Sequence, residues 1–322
     1  MIIYLPNPPD SDLFSQFERL LGTNFRLTSE TKDLGESEVV VQGDLRPLLE
    51  EIPKMPKLQS IVIPYAGVPN WFCEAMTAFP YIGVYNIHHN QAPTCETAIG
   101  LMFACAKRTV ILDRLMRDSD WSPRYTTPGN VLLEGKRVLI IGYGSIGRRI
   151  GTVCTALGMH VDAIKRTVRQ AYDGEVSLYA PAGLEHVISK ADFVILSCPA
   201  TPETEGLVNA DLIAKMKPGA FVINVARGSV IEEEAFYVAL RDGRLGGAGL
   251  DVWWEYPKGK DETTCPPSKF DFAALENVVM SPHVGGATKD SERLRWTHVA
   301  ELLKRLEEGK AGMFKVDLSL GY

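Results

Sequence analysis

The 322-residue sequence predicts an α/β protein built on parallel sheets. Three observations carry this. Short unbroken apolar runs, such as Val138, Leu139, Ile140 and Ile141, suit strands buried on both faces. These runs alternate with segments of helical apolar spacing, the pattern of parallel strands joined by helices. The length allows about two domains and ample core.

In chain order, residues 1–5 read as a first strand, closed by Pro6, Pro8 and Pro9. A helix follows over 13–21, a strand over 38–41, a helix over 45–52 and a strand over 58–63. The turn Tyr65-Ala66-Gly67 then stands at a strand's carboxyl end, where sheets of this kind bind ligands. A further strand covers 81–86, and His88 and His89 follow in a polar loop. Adjacent loop histidines are expected to be solvated, and no further metal ligand stands at matching spacing. A helix runs from Pro93 and Thr94 towards Met116. Residues 118–134, with Trp121, Pro123, Pro128 and Gly129, read as an irregular crossing between domains.

Next comes 138–141 as a strand, then Gly142, Gly144 and Gly147 in G-x-G-x-x-G spacing, then a helix-compatible run over 150–157. The first glycine permits a tight turn, the second lets backbone approach a pyrophosphate, and the third lets helix pack on strand. Strand before and helix after make this a dinucleotide fingerprint rather than a chance glycine turn. The next strand, 160–164, ends in Lys165 and Arg166. A lysine–arginine pair suits a 2′-phosphate, hence NADP over NAD. The other reading is a solvated basic turn, with Asp162 or nothing at the ribose. Helices over 184–189 and 210–216 and strands over 193–196 and 220–225 follow. A Gly-rich turn over 245–249 leads to a strand around 250–253, then a Pro- and Lys-rich loop over 256–270, a last strand over 278–280 and a long helix from Asp290.

Net charge of −6 provides no basic footprint for nucleic acid, and no apolar run approaches a membrane span. The N-terminal residues do not read as a signal peptide. Six cysteines with no C-x-x-C pair read as reduced thiols of a cytoplasmic protein rather than a disulfide framework or a zinc site.

Arg227, Glu255 and His283 each fall just beyond a strand end of the same sheet. An arginine there can clamp a 2-oxo or 2-hydroxy carboxylate through two hydrogen bonds. A histidine can exchange a proton with the carbonyl oxygen as hydride moves, and a neighbouring carboxylate would orient it.

The segments GYGSIG (142–147), CPATPET (198–204), MKPGAFVINVARGSVIEEEA (216–235), GGAGLDV (246–252) and NVVMSPHVGGAT (277–288) resemble the D-isomer-specific 2-hydroxyacid dehydrogenases. PYAGV and NQAPTCETAIGLMFACAKR match more loosely. The resemblance implies two Rossmann-like domains with a cofactor cleft between them and a homodimer. A substrate domain of 1–100 plus 290–322 and a dinucleotide-binding domain of 101–289 are expected. By the same resemblance Arg227 is the carboxylate arginine and His283 the acid/base. Backbone of Ala66 and Gly67 would also hold the substrate carboxylate. Gly144, Ser145 and Ile146 would cradle the pyrophosphate, with Gly142 and Gly147 shaping the turn. Cys198, Pro199 and Thr204 would line the adenosine side, and Asp251 the nicotinamide end. Val225, Ala226 and Gly285 complete the cofactor set, and Lys165 and Arg166 resemble the NADP-preferring glyoxylate and hydroxypyruvate reductases.

One departure stands out. The family places a histidine-pairing glutamate five residues after the aspartate, before a proline. That slot is Tyr256, before Pro257, and Glu255 falls one residue early. Either a loop shift lets Glu255 reach His283, or His283 is held differently and the pH optimum moves. Two further readings stay open: a cofactor-binding regulator or corepressor with little turnover, and NAD-linked oxidation of a phosphoglycerate-type substrate.

Overall fold

The computed structural model describes residues 1–126, 129–259 and 261–319. Pro128 of the irregular crossing, Lys260 of the Pro- and Lys-rich loop and positions 320–322 of the C-terminal segment lie outside the described residues. The chain divides into two units, Met1–Asn90 with Thr288–Tyr322, and Gln91–Ala287. The first opens with β1 (Ile2–Tyr4), α1 (Ser11–Leu21), β2 (Arg26–Thr28), β3 (Val39–Val41), α2 (Leu45–Glu51), β4 (Ser60–Ile63), α3 (Asn70–Met76) and β5 (Gly83–Asn86). The second begins with α4 (Gln91–Ala106), α5 (Thr109–Arg117), β6 (Arg137–Ile141), α6 (Ser145–Ala156), β7 (His160–Ile164), β8 (Tyr172–Asp173) and β9 (Val176–Tyr179). It continues through α7 (Leu184–Ile188), β10 (Phe193–Leu196), α8 (Ala210–Lys215), β11 (Phe221–Asn224), α9 (Glu233–Arg241), β12 (Gly247–Leu250) and β13 (Val278–Met280). The chain then returns to the first unit with α10 (Ser291–Glu307).

In the first unit the strands are all parallel, in the order β2-β1-β3-β4-β5. Alternate side chains feed two cores, because successive residues of a strand point to opposite faces. Ile3, Val39, Val41 and Val62 pack with Phe17 of α1 and Trp296 of α10. Tyr4, Val40, Ile61 and Ile63 pack with Leu48 of α2 and Phe72 of α3. Phe17 and Trp296 meet edge-on, with centroids 5.1 Å apart.

The second unit holds the larger sheet, β13-β12-β11-β10-β6-β7-β9-β8, parallel except for β8, which pairs antiparallel with β9. Leu139, Val194, Val222 and Leu250 face α7, α8 and α9; Val138, Ile140, Ile195 and Ile223 face α4 and α6. The α/β class and the parallel sheets are as the apolar runs imply.

Several elements differ from the sequence reading. The helix expected to continue to Met116 breaks after Ala106, and α5 starts afresh beyond Arg108, whose φ of 51° is left-handed. Within the expected turn 245–249, residues 247–249 are strand. Gly249 lacks a side chain because α4 lies against it: a Cβ there would stand 2.8 Å from Leu101 Cβ. The short strands β2, β8 and β9 and the helices α3 and α9 are not expected from the sequence. The expected boundary at residue 100 falls inside α4, and the units divide at Asn90 and Gln91.

His89 is a further correction, being buried at 6% exposure instead of solvated. Among the described residues its Nδ1 has no partner, and Arg295 and His298 of α10 face it together with His88. Burial first, and those positive neighbours second, push its pKa down to about 4. The folded state therefore holds the neutral ring. Its stabilisation is complete above the ordinary value of 6.5 and is lost as pH falls towards 4, because the unfolded chain takes up the proton first. The loss amounts to about 3 kcal/mol. Urea unfolding at a series of pH values should show that fall, and His89→Gln should remove most of it; an unchanged slope in the variant would refute the assignment.

Candidate functional site

Parallel strands deliver their carboxyl ends to one edge, and every chemistry-bearing loop of the second unit leaves from that edge. The chain passes from β6 outward to β7 on one side and returns to β10 on the other. The edge between β6 and β10 is thus the switch point at which such sheets bind ligands.

The G-x-G-x-x-G turn occupies this point. Gly142 has φ of 100°, and a Cβ there would lie 2.4 Å from the backbone N of Cys198. A Cβ on Gly147 would lie 2.1 Å from the Gly142 carbonyl oxygen, so α6 sits directly on the turn. The Ser197 hydroxyl donates to that same carbonyl at 2.8 Å. Gly144 is different. Its φ of −90° suits any residue, and a Cβ would meet nothing within 4 Å. No described atom requires a glycine there; its smallness keeps open the space in front of α6. The first helical hydrogen bond of α6 runs from Arg148 N–H to Gly144 carbonyl, and no side chain caps the helix. The N–H groups of Ser145, Ile146 and Gly147 therefore precede it without intrahelical partners. Open space, three donors and the positive end of a helix fit a pyrophosphate.

At the tip of β7, Lys165 is half-buried and Arg166 exposed, with Arg166 4.0 Å from Glu203. Asp162 does not compete for a ribose. It is buried in mid-strand and paired with Arg137 at 2.7 Å. At the tip of β10, burial pushes the Cys198 thiol up to about 11, which removes it as a nucleophile at neutral pH. Thr204 cinches the following loop, donating to the Pro199 carbonyl at 2.7 Å and accepting from Thr201 N–H at 2.8 Å.

Beyond β11, Val225 and Ala226 are buried and Arg227 is exposed. Asn224 fixes this turn. Its side chain accepts from Ala226 N–H at 3.0 Å and donates to the Arg227 carbonyl at 3.0 Å. One guanidinium nitrogen of Arg227 donates to the Ala226 carbonyl at 2.7 Å. Sequence reasoning passed over Asn224; an amide closing the apolar run Phe221-Val222-Ile223 was its signal.

Beyond β12, Asp251 is 2% exposed and holds the loop that carries His283. One carboxylate oxygen accepts from Ser281 hydroxyl at 2.5 Å and Val284 N–H at 3.0 Å; the other accepts from Gly285 N–H at 2.9 Å. His283 is thereby held at φ of 57°, a left-handed conformation that costs an L-residue about 1–2 kcal/mol. Desolvation first, and the positive charge of Arg227 second, lower the pKa of His283, while Asp251 opposes them. Glu255 is not among the charges acting on His283. It is exposed, and its backbone N–H donates to the Pro267 carbonyl. The tyrosine in the neighbouring slot is what touches the imidazole: the Tyr256 and His283 ring centroids are 5.4 Å apart. Arg227, Asp251, Tyr256 and His283 thus form one group, and Glu255 stands outside it. Ala66 and Gly67 belong to the first unit, closing the carboxyl end of β4, where Gly67 has φ of 82°.

A dinucleotide-binding α/β edge carrying an arginine and a histidine defines a class of protein. Residues 99–285 match the model of the D-isomer-specific 2-hydroxyacid dehydrogenase NAD-binding domain. The chain belongs to the D-isomer-specific 2-hydroxyacid dehydrogenase family. It is 33% identical to a glyoxylate reductase of Pyrococcus furiosus over 67% of this chain and 63% of that one. It is 28% identical to a D-3-phosphoglycerate dehydrogenase of Methanocaldococcus jannaschii over 84% of this chain and 50% of that one. The chain thus spans about half to two-thirds of the length of these relatives. The fold matches an NADPH-dependent glyoxylate/hydroxypyruvate reductase from Sinorhizobium meliloti, solved with NADP and sulfate, at a TM-score of 0.76 and 22% identity, over 100% of this chain and 99% of that one.

Because no described atom lies within 4 Å of where a Cβ on Gly144 would be, Gly144→Ala should change the melting temperature little. It should weaken NADH and NADPH binding by at least about tenfold, or about 1.4 kcal/mol, in a fluorescence titration. Unweakened binding would remove the pyrophosphate from this turn.

Proposed function

We propose that the protein is an NAD(P)-dependent oxidoreductase that interconverts a 2-oxo acid and a D-2-hydroxy acid, glyoxylate, hydroxypyruvate or a close analogue. The observation that carries the proposal is the grouping of Arg227 and His283 on the same sheet edge as the glycine turn. The nicotinamide supplies or accepts the hydride when bound. Arg227, exposed and anchored by its own turn, presents guanidinium donors to the substrate carboxylate. His283 gives its proton to the carbonyl oxygen in reduction and takes it back in oxidation. Ala66 and Gly67 are proposed as backbone donors to the substrate carboxylate, Asp251 as the brace of the His283 loop, and Glu255 as outside the chemistry.

Lys165 and Arg166 support a preference for NADP, since two cations at the tip of β7 suit a 2′-phosphate and Asp162 is engaged elsewhere. A phosphoglycerate-type substrate with NAD is the second reading, favoured by the likeness to D-3-phosphoglycerate dehydrogenases. A homodimer belongs to the same proposal. The amphipathic α5 buries none of its residues within the chain, and Val110, Met116, Trp121 and Tyr125 are exposed along it and after it. Sedimentation that finds only monomer would refute that part.

Loss of NADPH and NADH absorbance over glyoxylate, hydroxypyruvate, pyruvate and phenylpyruvate tests the activity and the cofactor together, with D-3-phosphoglycerate and NAD as the reverse assay. Turnover faster with NADPH is expected, and neutralising Lys165 and Arg166 should erase that preference. Arg227→Ala should cut kcat/KM by about 100-fold or more, equivalent to about 3 kcal/mol. Unchanged kinetics would remove Arg227 from the substrate, and tight cofactor binding with no turnover would favour the regulator.

A further inference from the structure

We propose that Tyr256 is the positioning residue of His283, packing its uncharged ring against the imidazole in place of an anionic partner. The inference rests on the acid/base reading of His283. The two rings stand 5.4 Å apart and inclined by 54°. Tyr256 is itself fixed: its hydroxyl accepts from Trp253 N–H at 3.0 Å. Trp253 is buried, and its indole N–H donates to the Ser281 carbonyl at 2.8 Å. The Ser281 hydroxyl donates to Asp251, and the N–H groups of Val284 and Gly285 donate to it as well, so Asp251 holds the loop before and after His283. Contacts therefore close a circuit from Tyr256 through Trp253, Ser281 and Asp251 back to His283, and the two rings complete it.

The charged groups that face His283 are Arg227, from the loop after β11, and Asp251, from the loop after β12. The same two charges act on Tyr256. Burial pushes the Tyr256 phenol above its usual range, so the ring beside the histidine is neutral across the working pH. Asp251 already accepts three hydrogen bonds, and Arg227 opposes a second positive charge. Tyr256 thus orients the imidazole and stabilises the imidazolium less than a carboxylate would. The reduction, which needs the proton on His283, should accordingly lose rate at a lower pH than it would with a carboxylate at position 256.

The test uses Tyr256→Phe, Tyr256→Ala and Tyr256→Glu in two readouts. The first follows the His283 imidazole by NMR through a pH titration of the resting protein, which needs no turnover. The second is the pH profile of kcat and KM with whichever 2-oxo acid the panel identifies. Tyr256→Glu should raise the His283 midpoint by about one pH unit or more and move the alkaline limb of the reduction upward with it. Tyr256→Ala should lower kcat about tenfold with KM little changed, and Tyr256→Phe should restore most of the loss, because the ring does the packing. A midpoint unmoved in the Glu variant, or a kcat unmoved in the Ala variant, at an unchanged melting temperature, would overturn the proposal even if the protein proves an active reductase. A midpoint that moves in a protein inert towards the whole panel would uphold the role of Tyr256 and sink the reductase reading instead.

Discussion

Parallel strand pairing is the constraint from which the rest follows. From β13 through to β9, every strand of the larger sheet points the same way. Successive parallel strands need crossovers, the crossovers are mostly helices, and helices on both faces require strands that are apolar on both faces. The polar and glycine-rich residues are thereby displaced to the ends of the strands. One edge collects all the carboxyl ends, so residues as distant in sequence as Gly144, Arg227 and His283 leave from a common edge.

Within that edge the protein uses two kinds of rigidity. At the glycine turn, rigidity comes from contact. Gly142 and Gly147 exist because backbone atoms lie where their side chains would be. At His283, it comes from a buried carboxylate. Three hydrogen bonds accepted by Asp251 hold the loop that keeps His283 in a left-handed conformation, one that L-residues disfavour. Strain of that kind persists only where surrounding bonds over-determine the backbone. The same carboxylate also opposes the effect of Arg227 on the imidazole, so one residue sets both the position and part of the electrostatics of the proposed acid/base group.

The long buried strands and the dinucleotide turn were legible in the sequence because each depends on neighbours close in the chain. The run 138–141 is apolar throughout, and its glycine turn follows at once. Arg227 and His283 were legible as strand-tip residues, although their proximity was not. Other features depended on distant partners. The glycines of β12 read as a turn until Leu101 of α4 is seen packed against Gly249. His89 read as a solvated loop residue until α10 covers it. Asp162 stayed open as a ribose ligand until its pairing with Arg137 removed it.

The sequence by itself determined the class of fold, the family and the identity of the residues at the strand tips, because apolar period and motif spacing are local properties of the chain. Only the tertiary structure decided which of those residues act on one another. It set Tyr256 rather than Glu255 against His283, engaged both oxygens of Asp251 with the loop after β13, and left the space in front of Gly144 open. The physical reason is the same in each case. Hydrogen bonds, ring contacts and clashes act over a few ångströms, and the groups that meet here are separated by up to dozens of residues along the chain.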